Sequence, residues 1–214
     1  MGKKARIKAV VKYARKERDK ALRKKPAQAP ALNYRWRHTL RVAQRGMHLA
    51  EQEGADLEIV TAACMLHDIA KLSNTEQGVE HGRVGAKMVH PVLQKLGFKK
   101  KKIDPICYAI ARHVDGKAGY KFPHTLEADV VSDADKIDRF SAYRTTLKLR
   151  SRAKSHRNYL RMVERQLSHL KKLRKKPPTR TESGTRIFRE QLDLQITFLE
   201  TVLADDELTA VPKL

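Results

Sequence analysis

Four histidines and one cluster of aspartates are the residues best suited to chemistry in this chain. There are nine histidines in all. His48, His90, His124, His156 and His169 have no partner pattern and read as surface or core side chains. His38 sits in Arg37-His-Thr-Leu-Arg-Val-Ala43, and His67-Asp68 lies in Leu66-His-Asp-Ile-Ala-Lys71. His81 belongs to Glu80-His-Gly-Arg-Val-Gly-Ala86, and His113 ends Ala109-Ile-Ala-Arg-His113. Ser132-Asp-Ala-Asp-Lys-Ile-Asp138 then supplies Asp133, Asp135 and Asp138. Any one such histidine would be an ordinary hydrogen-bonded core residue. Together, imidazole nitrogen and carboxylate oxygen form a ligand set for Zn, Mn, Fe or Ni that needs no thiolate. His67 and Asp68 point about 100° apart on a helix of 3.6 residues per turn. They converge on an ion only where the helix end faces a cavity.

The elements that must position these groups all read as helices. Residues 4–24 lack Gly and Pro, and Pro26 and Pro30 mark a break. A second helix is expected from about Asn33 to Glu53, ending at Gly54, with Asp56 as N-cap of a third. That third helix is apolar nearly all round (Ile59, Val60, Ala62, Ala63, Cys64, Met65, Leu66), which makes it central. Its first polar pair is His67-Asp68, where a core helix meets a pocket. Further helices are expected at about 80–96, 102–114 and 126–150. Leu160, Val163, Leu167 and Leu170 form a stripe in a basic helix over 143–176. Phe188, Leu192, Ile196, Leu199 and Leu203 form a returning stripe over 183–204. The two stripes predict a hairpin, with a dimer interface as their other use. No period-2 strand pattern survives.

Length and charge bound the partners. The 214 residues suit one domain with additions, and 41% apolar content can bury a core. No run of about 18 apolar residues occurs, so no membrane span is expected. Met1-Gly2-Lys3-Lys4 leads into charge, not a signal peptide. The two cysteines, Cys64 and Cys107, sit in apolar contexts and read as buried thiols of a cytoplasmic protein. The net charge is +22, and it is uneven. Residues 1–25 carry 12 basic and 2 acidic side chains, and residues 139–180 carry 15 and 1. Clustered Lys and Arg suit a polyanion, so the arms are candidates for RNA binding. The aromatics counted within the arms are few (Tyr13, Tyr143, Tyr159) for a single-strand stacking platform.

The order His, His-Asp, Asp, realised as His38, His67-Asp68 and Asp135, resembles the HD superfamily of metal-dependent phosphohydrolases. The resemblance covers about 33–145 and includes the Leu66–Lys71 and Ser132–Asp138 segments, which look like HD hydrolases of nucleoside polyphosphates. The His81 segment and His113 resemble the two-metal HD subgroup, and the His81 segment also resembles HD-type endoribonucleases. The resemblance implies an all-α, HD-domain helical bundle. With the arms read from charge and periodicity, the chain would comprise a basic N-terminal helix (1–28), the HD domain (29–145) and a C-terminal helical hairpin extension (146–214).

The resemblance further implies metal ligation by His38, His67, Asp68 and Asp135. His81 and His113 would be ligands of a second ion, or phosphate contacts when one ion binds. The ion would be Mn, Mg, Fe, Ni or Co, in one or two copies. Asp133 competes with Asp135 for the ligand role, and alignment with the family selects Asp135. Lys71 falls on one face with His67 and Asp68 and matches a family lysine that would hold a phosphate oxygen beside the catalytic Asp68. Arg41 and Arg112 are further candidates for binding substrate, and Asp138, one turn past Asp135, for supporting a ligand. The expected activity is hydrolysis of a phosphate ester or anhydride, of a small phosphate-containing molecule, nucleotide or nucleic acid. The rival is a nucleic-acid binder on an HD scaffold, weakly active or inactive. All core ligand positions, both accessory histidines and Lys71 are present, which favours the enzyme.

Overall fold

A computed structural model describes residues 1–73 and 75–209. The expected C-terminal extension runs to 214, and its positions 210–214 lie outside the described residues. The helices are α1 (Lys3–Lys24), α2 (Ala29–Glu53), α3 (Leu57–Leu66), α4 (Ile69–Leu72) and α5 (His81–Lys95). They continue as α6 (Lys100–Arg112), α7 (Leu126–Arg139), α8 (Ala142–Arg152), α9 (His156–Lys175) and α10 (Glu182–Glu207). The fold is an all-α bundle, and no strand occurs among the described residues. None of their helices is long and apolar enough to cross a membrane.

Helix α3 is the axis of the bundle. Every residue from Glu58 to Leu66 is buried, and α1, α2, α6 and α7 pack around it. Its start is fixed by Asp56, whose carboxylate accepts the backbone N–H groups of Glu58 and Ile59. The preceding helix ends at Gly54, whose φ of 71° is the left-handed conformation that glycine adopts without steric cost. Along α1, Val10 and Ala14 are fully buried against this core while the basic residues face outward. Arg6 also pairs with Glu58, Nε to Oε1 at 2.8 Å. Cys64 and Cys107 are buried and unpaired as expected, and burial pushes the Cys107 thiol up to about 12.

Three expected boundaries move, each for a local reason. Helix α2 starts at Ala29 instead of near Asn33, because Pro30 occupies its first turn. There the missing N–H would have had no intrahelical partner anyway. The single helix expected over 126–150 is two. Helix α7 stops at Arg139, and Ser141 caps α8 by accepting the N–H of Arg144. The basic helix expected over 143–176 is likewise divided between α8 and α9, with Ser155 capping the latter through the N–H of Asn158.

The returning hairpin is formed by α9 and α10. Val163 and Leu170 on one side, and Phe188, Leu192 and Leu199 on the other, are fully buried. Helix α10 also lies against α7 and α2, so its apolar face joins the core beneath the site.

Candidate metal centre

Six ligand-type side chains from different parts of the bundle meet at one place. His38 comes from the middle of α2 and Asp135 from α7. His67 and Asp68 occupy the joint between α3 and α4. His81 opens α5, and His113 follows the last residue of α6. All six are buried.

Backbone carbonyls set the orientation of three of the rings. His67 Nδ1 donates to the Cys64 carbonyl at 2.7 Å, and His113 Nδ1 to the Ile110 carbonyl at 2.7 Å. His81 Nδ1 donates to the Gly78 carbonyl at 2.6 Å. A carbonyl only accepts, so each Nδ1 carries the proton and each neutral ring presents a lone pair at Nε2. The carboxylate of Asp138 does the same for His38, taking its Nδ1 at 2.8 Å. Asp138 is itself held by the Nε of Arg41 at 2.7 Å.

The inward nitrogens then face one another. His38 Nε2 lies 3.2 Å from His67 Nε2, and His81 Nε2 lies 3.1 Å from His113 Nε2. Asp135 Oδ1 is 3.2 Å from His38 Nε2, and Asp68 Oδ1 is 3.1 Å from His81 Nε2. Two groupings close enough to share an ion result, His38–His67–Asp135 and His67–Asp68–His113, joined through His67. Facing lone pairs and carboxylates repel unless a cation lies between them. Ligands at right angles on an ion about 2.1 Å away are about 3 Å apart, which matches these separations. The donor set therefore fits a divalent metal, and the cluster can hold one.

The electrostatics point the same way. Burial opposes a charged His38, yet its hydrogen bonds to Asp135 and Asp138 raise it to about 9. Burial lowers His113 to about 3 and also lowers His67. Burial alone would raise Asp68, but His67, His81, Arg35 and Lys71 together hold it well below the usual carboxylate range. Asp135 is likewise lowered, by His38 above all, against its burial. The centre thus keeps its carboxylates ionised, keeps its deepest imidazoles neutral and favours added positive charge, as a metal site requires.

Close packing brings the second pair of histidines together. A Cβ at Gly82 would lie 2.8 Å from the carbonyl oxygens of both Ile110 and Ala111. Only glycine lets the start of α5 rest on the end of α6, which sets His81 beside His113.

A cavity of about 390 Å³ opens over the cluster, and Arg35, Lys71, Arg139 and Arg144 line it together with the ligands. Arg35 pairs with Asp68 at 2.7 Å and Lys71 with Asp68 at 3.2 Å, while Arg139 lies 3.8 Å from Asp135.

The two arginines expected to bind substrate are placed otherwise. Arg41 is committed to Asp138 and lies over the Tyr143 ring. Arg112 is buried beside Asp129 and Tyr108, away from the cavity, because its helix face turns inward. Asp133 also turns away, accepting the N–H groups of Arg180 and Thr181 and the Thr181 hydroxyl. It anchors the entry to α10, leaving Asp135 in the cluster. The other five histidines are exposed. Sequence reasoning missed Arg35, Arg139 and Arg144 as lining groups. Arg35 is three residues before His38 and Arg139 four after Asp135, a same-face spacing that could have revealed both.

Comparison with known proteins agrees with this geometry. Residues 35–139 match the family model of the HD domain. The chain is 32% identical over 111 residues to the protein YpgQ of Bacillus subtilis, a match covering 50% of this chain and 51% of YpgQ. It is 34% identical over 114 residues to ribonuclease Y of Chloroflexus aurantiacus, covering 52% of this chain and 20% of that enzyme. The chain thus spans about half the length of the first of these relatives and less of the second. Among solved structures, an HD-superfamily hydrolase from Bacillus thuringiensis superposes with a TM-score of 0.67 at 20% identity, covering 96% of this chain and 99% of that one. YpgQ in complex with ADP superposes with a TM-score of 0.64 at 18% identity, covering 96% of this chain and 97% of that one. The fold is that of the HD-superfamily hydrolases, and this chain is an HD-domain protein.

Proposed function

We propose that the protein is a metal-dependent phosphohydrolase that cleaves a phosphate ester or anhydride of a nucleotide or nucleic acid. The observation that carries this reading is the convergence of four imidazole Nε2 atoms and two carboxylates beneath a cavity rimmed by cations. His38, His67, Asp68 and Asp135 would hold one divalent ion, and His81 and His113, with the other oxygen of Asp68, a second. Bound there, such an ion supplies a Lewis acid for the phosphoryl oxygens and a water of lowered pKa.

The chain's own groups do the rest. Asp68 stays ionised and accepts a hydrogen bond from the attacking water, orienting it toward phosphorus. Lys71 and Arg35, tethered to Asp68, contact the phosphoryl oxygens as negative charge spreads over them. Asp138 keeps His38 in the tautomer that directs Nε2 inward. Two similarities support a nucleotide or nucleic acid as substrate: YpgQ has been solved with ADP, and ribonuclease Y is named for its action on RNA.

The test is a screen of nucleotides, dinucleoside polyphosphates, cyclic dinucleotides and short RNA, with Mn, Mg, Fe, Ni and Co added in turn. Metal-dependent release of a phosphate product, abolished by Asp135→Asn, is expected. Absence of turnover with every metal and substrate, in protein shown to bind metal, would leave a binding protein on the same scaffold.

A further inference from the structure

A second cavity, of about 540 Å³, adjoins the metal pocket, and Arg139 and Arg144 line both. It runs from Tyr34 on α2 past the α7–α8 turn and along α8 to α9. Arg139, Arg144, Lys148 and Arg152 line it, and no carboxylate does among the described residues. The floor is built from polar groups that hold its shape. Lys148 donates to Gln166 at 2.9 Å, and Thr145 donates to Gln195 at 2.7 Å. Gln166, Gln195 and Thr145 are all buried. Flat rings are present too: Tyr34, which the Arg144 guanidinium overlies, and His169 against Phe140.

Four cations in one concavity repel each other, and they focus a positive field where the groove leaves the metal pocket. A ligand whose charge sits at one phosphate would use the metal pocket and leave these cations unsatisfied. A strand with a repeating phosphate would satisfy both, its bases meeting the rings. The volume lies within the range of about 300–1,000 Å³ that holds one small-ligand unit, a size suited to a nucleotide unit of a single strand.

We infer that this groove is a track for the nucleotides flanking the reactive phosphate of a single-stranded oligonucleotide. The inference rests on the proposed function, because it places that phosphate over the metal cluster. Most of the basic helix α9 takes no part. Lys171 and Arg174 pair with Glu200 and Asp193 on the outer face of the hairpin. The groove draws its charge from the end of α7 and from α8.

Binding of labelled oligonucleotides to the full chain in chelator, read by fluorescence anisotropy, tests the inference without turnover. Lengths of one, two, four and eight nucleotides are compared, in ribose and deoxyribose series. Affinity should rise at least tenfold from one to four nucleotides in at least one series, and the two series identify which sugar is accepted. In the variant Lys148→Gln/Arg152→Gln, octamer affinity should fall at least tenfold. Its salt-dependence slope should shrink by about 1.4, since each lost single-strand phosphate contact is worth about 0.7. Lys171→Gln/Arg174→Gln removes the same charge from the outer face and should keep octamer affinity. Should the double variant melt early by circular dichroism, the exposed Arg152→Gln alone replaces it, with a slope change of about 0.7. Affinity independent of length, or an equal loss in the outer-face control, would overturn the track. Length-dependent binding without hydrolysis of any phosphate would sink the hydrolase and leave the track standing. Hydrolysis of a mononucleotide with flat length dependence would do the reverse.

Discussion

His38 and His67 bring their Nε2 atoms to 3.2 Å while both Nδ1 atoms are committed to acceptors, Asp138 and the Cys64 carbonyl. Such a pair is at rest only with positive charge between the rings. Adding Mn, Co or Ni should therefore stabilise the protein, and a chelator should reverse the effect. At a concentration 100 times the dissociation constant, one bound ion contributes about 2.7 kcal/mol. For a chain of this size that is a rise in Tm on the order of 5–10 °C. Differential scanning fluorimetry with each metal checks this. Unchanged melting with all of them, together with no metal in the purified protein, would contradict a metal site.

Asp138 acts on the centre through His38 and not as a ligand. Asp138→Asn keeps the side chain's shape but gives up the negative charge that fixes the ring and holds Arg41. Loss of such a supporting carboxylate lowers metal affinity by about 10–100-fold. Competition against a fluorescent chelator should show that loss for the ion bound through His38. His81 and His113 make no direct contact with Asp138, so the affinity of an ion held there should change little. Equal weakening of both ions would mean that Asp138 holds the whole bundle together and does not orient one ring.

Gly82→Ala tests whether helix packing sets the second half of the site. The new Cβ would approach two carbonyl oxygens to 2.8 Å, and backbone atoms yield less readily than side-chain ends. Overpacking of this kind costs about 1–3 kcal/mol, measurable by urea denaturation. Because Ile110 also accepts the Nδ1 proton of His113, the same strain should move His81 from His113 and weaken the ion bound there. A variant as stable as the parent, with unchanged metal stoichiometry, would show that α5 and α6 have room to separate.

The site was legible in the sequence where a ligand sat at the end of an element. His67-Asp68 stood out because α3 has no other polar residues near its end, and His81 and His113 because each adjoins a helix boundary. Asp56 was legible as a cap for the same reason. What the sequence could not convey was direction around a helix axis. Arg112 and Asp133 are of the right type and close in sequence to residues of the cluster, yet both face other partners. The break at Ser141 was hidden in a run that is helical on either side, and with it the turn that aims Arg144 at the cavity. Pro30 misled in the opposite sense, since a proline in a first turn begins a helix as readily as it ends one.

Asp56 gives the last prediction, and it concerns the axis that carries the site. Its Oδ1 accepts the N–H of Glu58 at 3.0 Å and that of Ile59 at 3.1 Å, and its other oxygen pairs with Lys102. Burial raises this carboxyl, but Lys102 and the two N–H groups outweigh burial and hold its pKa below the ordinary value. A carboxylate lowered in the folded state stabilises the fold above its unfolded pKa of about 3.9. That contribution disappears as pH falls through the lower folded value. Asp56→Asn keeps an oxygen for the cap and removes the titrating charge. The parent should therefore exceed the variant in urea midpoint at pH 7, and the gap should close below about pH 4. Asp56→Ala removes the cap as well and should cost about 1 kcal/mol more at pH 7. The metal-centre carboxylates titrate equally in all three proteins, so the differences isolate Asp56. A gap that does not shrink at all as pH falls below about 4, or is absent at pH 7, would show that Lys102 and the cap contribute nothing through charge.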